Sequence, residues 1–174
     1  MLAEVEQYLN MIEDLRGQVS DLVAGLPAEA LNWRPIQGAA SPTEDHATNS
    51  LAVLAAHVAG AEHFWIAEVI AGHPATRERA AEFRMQTDDA QALQALLVDV
   101  GRETRVILEA LDEATLAGNC RAPASAGRER VVPVRWAILH VIDHTALHVG
   151  HMQLTRQLWQ GGEAAGGPRW FERV

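Results

Sequence analysis

From Pro133 to Trp159 the chain reads PVRWAILHVIDHTALHVGHMQLTRQLW, a helix-length stretch that repeats histidine at 140, 144, 148 and 151. At 100° per residue the four imidazoles fall within one arc of about 80°. Leu158 falls on the same arc and Leu147 and Leu154 lie within about 40° of its edge, which sets the histidines into an apolar stripe turned toward a core. Imidazoles facing a core are costly unless each ring is hydrogen-bonded or coordinated, and charged neighbours repel one another. A chain with such a helix needs other helices to cover it and a shared partner for its ring nitrogens.

The rest of the chain supplies those helices. Leu2, Val5, Leu9, Ile12, Leu15, Val19 and Leu22 recur at intervals of three and four, predicting a first helix over 2–24 that stops at Gly25-Leu26-Pro27. A short turn at AEALN and a connecting loop over 33–48 follow, with Asn49 or Ser50 as cap of a second helix running to about 71. The mixed segment ATRERAAEFRMQT crosses to Thr87-Asp88-Asp89, the predicted cap of a third helix reaching about Leu111 with Leu93, Leu96, Leu97, Val100 and Ile107 inward. A stretch rich in Ala, Gly and Pro over 113–132 reads as loop, and the fourth helix starts near Pro133. No segment shows convincing strand alternation, RERVVPV being the nearest. The expected architecture is a single all-α domain over 1–174, a four-helix bundle whose axis can hold a cofactor.

Charge and composition narrow the partners. The formal charge is −9, from 23 acidic and 14 basic residues, all 14 of them Arg. Such a surface repels phosphate backbones, which argues against nucleic acid. The longest apolar run, LAVLAAHVAGA at 51–61, is shorter than the roughly 20 residues a membrane span requires. MLAEVEQYLN lacks a signal peptide's basic patch, and the single Cys120, read as an incidental loop cysteine, fits a reducing compartment. These features together predict a cytoplasmic protein that contacts neither membrane nor nucleic acid.

Two histidines at i and i+4 share a helix face and both reach one ion. His140/His144 and His144/His148 satisfy that spacing equally. On the second helix His57 sits among Leu54, Ala61 and Phe64 and is the candidate third nitrogen, while His63 falls on the flank. Three imidazoles suit Zn and also Ni, Fe or Cu, with positions left for water or substrate. His46 and His73 read as loop residues and Asp143 as a surface charge.

The segment HTALHVGHMQLTRQLW resembles the terminal signature of the DinB-like family, in which two histidines four apart and a Gly soon after precede an Arg-bearing helix end. GLPAEALNWRP at 25–35 and LAVLAAHVAGAEHFW resemble that family's segment after helix one and its first ligand-bearing helix. The resemblance implies an up-down-down-up bundle with a long crossover near 72–87, and a metal triad of His57, His144 and His148. It further implies a bound divalent ion, Zn or Ni foremost, homodimers, a small-molecule substrate, and in some members transfer or isomerisation with bacillithiol, mycothiol or glutathione. The family's DNA-damage-inducible name describes expression and implies no DNA contact. Where the family commonly carries Gln after the Gly, this chain has His151, which with His140 becomes a candidate proton carrier beside the metal. Two other uses of such a site are a metal-stabilised scaffold without chemistry, closed by a fourth ligand or sealed by Trp65 and Trp136, and a hydrolase acting through metal-bound water.

Overall fold

The computed structural model describes residues 1–36, 48–123 and 130–161. Helix α1 (Ala3–Val23) buries the predicted stripe, and Gly25 at φ 67° turns the chain into α2 (Ala28–Asn32). Ser50 caps α3 (Leu51–His63) by accepting from the Val53 amide at 3.3 Å. The same helix continues as a π-helical segment, Phe64–Ile70. A short α4 (Arg79–Glu82) lies in the crossover, and Asp89 caps α5 (Ala90–Glu109) by accepting from Gln91 N–H at 2.7 Å. After α6 (Glu113–Ala117) come β1 (Asn119–Ala122) and β2 (Arg130–Pro133), and Pro133 opens α7 (Val134–Trp159).

Helices α1, α3 with its π continuation, α5 and α7 form the expected bundle. Cross-helix contacts fix its directions. Arg135 at the start of α7 pairs with Glu4 at the start of α1 (2.7 Å), and Arg156 near its end reaches the Asp21 carbonyl (3.1 Å), so α1 and α7 run parallel. Gln94 at the start of α5 donates to Ser20 near the end of α1 at 3.1 Å, so that pair is antiparallel. Trp65 meets Trp136 while His57 meets His144, so α3 opposes α7. The order is up-down-down-up. Helices α1 and α3 each pack on both α5 and α7 and face one another across the diagonal. There Arg16 reaches the buried Glu62 at 2.5 Å, in space that a side chain at Gly101 would fill.

Four expectations change. The 113–132 stretch is not all loop: β1 and β2 pair antiparallel, Cys120 opposite Val132. Strands of four residues are too short to display alternation in a sequence, yet β1 alternates exposed and buried. Cys120 is therefore a buried strand residue whose thiol donates to the Val132 carbonyl at 3.5 Å, and burial raises its pKa, which disfavours the thiolate. On α7 the buried side is formed by Ala137, Ile138, Val141, Thr145, Val149 and Met152. Leu147, Leu154 and Leu158 are instead 58%, 56% and 48% exposed, so the histidine arc borders the core rather than filling its centre. Leu96 also faces outward. Finally, Leu51–Ile70 makes a 20-residue helix apolar enough to reach across a bilayer, but its most apolar stretch is mostly buried against its neighbours, as in the core helix of a bundle.

Candidate metal centre

The seam between α3 and α7 brings His57, His144 and His148 together. One nitrogen from each ring lies within 4.8 Å of one nitrogen from each of the others. His57 Nε2 and His144 Nε2 stand 3.1 Å apart, close to the roughly 3.3 Å expected of two imidazole nitrogens on one tetrahedral zinc. The rings of His144 and His148 are 4.4 Å apart, one helical turn removed on α7, and His148 faces His57 edge-on at 5.0 Å. Among the described residues no fourth His, Cys, Asp or Glu joins this group.

Electrostatics keep the rings ready to coordinate. Burial, reinforced by the neighbouring imidazoles, pushes the His144 pKa down to about 3 and that of His148 down to about 4. Both are neutral at physiological pH, the form that donates a lone pair to a metal. His144 Nδ1 is buried with no hydrogen-bond partner among the described residues. His57 is only 6% exposed, and its Nδ1 lies 2.8 Å from Glu82 Oε2. Burial alone would raise the Glu82 carboxyl. Hydrogen bonds from Arg77 and then His57 outweigh it and hold the group below the usual carboxylate range.

A cavity of about 690 Å³ opens directly onto the three imidazoles. Leu54, Phe83, Leu154 and Leu158 form its apolar walls, and Asn49, Thr155 and His151 add polar atoms. His151 Nδ1 lies 3.4 Å from His148 Nδ1 at this wall. His140, placed beside the metal by the sequence, does not line the cavity; it stacks on Trp136 at 4.9 Å with an angle of 6° and touches Trp65 at 5.1 Å. Trp65 and Trp136 pack on this outer side and do not cover the cavity. His63 donates from Nδ1 to the Glu103 carboxylate (2.7 Å) and bonds the Thr76 hydroxyl through Nε2 (3.0 Å), His73 contacts Glu103, Asp143 is exposed, and His46 lies outside the described residues.

Sequence reasoning missed Glu82, Arg77 and Glu68, all in or beside the crossover. Their segment has no periodicity, and a carboxylate 25 residues from His57 carries no spacing signal. The one local hint is Gly60, in the apolar run of α3, where alanine would favour the helix by about 1 kcal/mol. A side chain at Gly60 would overlap the Glu82 carboxylate.

Fold and site define an up-down-down-up helical bundle with a three-imidazole centre at the mouth of a cavity. The chain belongs to the mycothiol-S-transferase family, a DinB-like family whose model matches residues 7–161. Two solved structures share the fold. A conserved protein from Enterococcus faecalis superposes with TM-score 0.68 at 16% identity over 92% of this chain and 99% of its own. YfiT from Bacillus subtilis, described as "a probable metal-dependent hydrolase with an unusual four-helix bundle topology", superposes with TM-score 0.68 at 12% identity over 94% and 91%. No curated protein matches the chain by sequence.

The depressed histidines give the metal-free protein a defined pH response. From pH 6.5 down to about 3 the unfolded chain takes up protons at His144 and His148 that the folded protein refuses. Stability therefore falls as pH drops through that window. Urea unfolding of chelator-treated protein at pH 7 and pH 5 should show a larger loss in the parent than in a His144→Gln/His148→Gln double variant. Equal losses in the two proteins would contradict the burial of these rings.

Proposed function

We propose that the protein is a divalent-metal-dependent S-transferase that joins a low-molecular-weight thiol to an electrophilic small molecule, with the ion held by His57, His144 and His148. The carrying observation is the cavity of about 690 Å³ bordered by all three imidazoles, with no fourth protein ligand among the described residues. That arrangement supports open coordination positions, as a catalytic ion needs, rather than the closed sphere of a scaffold. Three neutral nitrogens suit Zn or Ni. A divalent ion bound there supplies the positive charge that lowers a thiol's pKa and favours the nucleophilic thiolate.

The chain's own residues carry the remaining roles. Leu54, Phe83, Leu154 and Leu158 exclude water from the apolar body of the electrophile. The S–H proton passes to His151 at the cavity wall as the S–C bond forms, and the bond to the leaving group breaks with its electron pair leaving. Family membership supports mycothiol as the thiol, and the formal charge of −9 supports a small-molecule substrate over nucleic acid. The description of YfiT favours a second reading, hydrolysis at the same three imidazoles without a thiol.

Turnover of an activated chloroaromatic compound with mycothiol, bacillithiol or glutathione separates these readings. The expected result is a chelator-sensitive rate with at least one thiol, reduced about 100-fold in His151→Ala. No metal-dependent rate with any thiol, together with thiol-free ester hydrolysis, would replace the transferase reading by the hydrolase one.

We also propose a homodimer formed through the face of α7 around Leu147, which is 58% exposed and lies outside the cavity wall, apolar surface that a lone protomer leaves in water. Sedimentation should give a dimer for the parent and a monomer for Leu147→Glu. A monomeric parent, or a variant that remains dimeric, would contradict this interface.

A further inference from the structure

We propose that the crossover between α3 and α5 is a supporting layer of the metal centre, in which Glu82 orients His57, Arg77 holds Glu82, and Glu68 of the π-helical segment holds Arg77. This rests on the triad reading above. It assigns three positioning residues that do not themselves face the cavity.

The contacts form one continuous chain. Arg77 grips Glu82 with two parallel bonds, Nε to Oε1 at 2.6 Å and Nη2 to Oε2 at 2.8 Å. A carboxylate held by a guanidinium fork can only accept from a third partner. The proton in the 2.8 Å contact between His57 and Glu82 therefore belongs to His57 Nδ1. That choice leaves Nε2 with its lone pair, and Nε2 is the nitrogen turned toward His144. A carboxylate behind a ligating imidazole fixes ring orientation and raises ligand basicity.

Arg77 is itself held in place. Its backbone N–H donates to Glu68 Oε1 at 2.8 Å, and the same oxygen accepts the Thr76 backbone N–H at 2.5 Å and the Thr76 hydroxyl at 3.2 Å. The Glu68 side chain is 4% exposed, so these donors replace its water. Glu68 lies in the π turn that continues α3. The wider winding changes the facing of every residue beyond it relative to a continued α-helix, and here it places a carboxylate under the crossover. Gly60, one turn after His57, leaves the room that the Glu82 carboxylate occupies. The π turn and the glycine each carry a cost to the helix, and each serves this one chain of contacts.

The decisive variant is Glu82→Gln, which keeps the shape and removes the charge. Two readouts are taken: Zn²⁺ affinity by chelator competition, and the His57 tautomer in metal-free protein by ¹⁵N NMR. The expected results are affinity about 10- to 100-fold weaker and a His57 ring that no longer holds its proton on Nδ1 alone. Arg77→Lys, which keeps the charge and loses the fork, and Gly60→Ala, which crowds the carboxylate, should move both readouts in the same direction by less, and they carry the test if Glu82→Gln does not fold. Unchanged affinity and tautomer in folded variants would overturn the proposal. The tautomer is read without metal, so a parent that binds no Zn²⁺ would defeat the triad reading while leaving the Glu82 assignment to be decided by the NMR result.

Discussion

Three imidazoles half or wholly out of water at the seam of α3 and α7 need partners for their ring nitrogens. Much of the architecture follows from that constraint. His144 and His148 are held uncharged by burial, reinforced by the imidazoles around them. His57 Nδ1 donates a hydrogen bond to Glu82, whose charge is balanced in turn by Arg77. The carboxylate behind His57 and the depressed basicity of the two α7 rings together describe a place whose free lone pairs suit a cation.

The bundle's directions serve this arrangement. Because α3 packs alongside α7 with the same helical pitch, His57 can face a pair of histidines one turn apart. Because α3 and α5 point the same way, their connection must travel back along the bundle. That obligatory crossover passes over His57 and delivers Arg77 and Glu82 to its rear. A simple up-down-up-down bundle with short loops would have no chain in that position.

The legible part of this structure was the part governed by periodicity. Histidines at 140, 144, 148 and 151 announced a shared face, and the stripe in α1 and the caps at Ser50 and Asp89 fell where local rules place them. Helical spacing left two pairs on α7 equally able to bind an ion; the resemblance of HTALHVGHMQLTRQLW selected His144 and His148, the pair that faces His57 here. The wheel misjudged Leu147, Leu154 and Leu158, since an arc shows which residues lie together and not where the core's centre falls. Glu82 and Glu68 were invisible because their partners are set by the crossover's path through space. The β1–β2 hairpin was missed because four residues are too few to show a period of two.

The account rests on an ion held by these three imidazoles, and elemental analysis of protein purified without a histidine tag tests it most directly. About one equivalent of a divalent metal per chain in the parent, before or after reconstitution, and its loss in both His57→Ala and His148→Ala, is the result expected of a three-nitrogen site. A parent that takes up no metal even after reconstitution, or variants that keep the full equivalent, would reduce the cluster to hydrogen-bonded histidines at a helix seam and contradict the account.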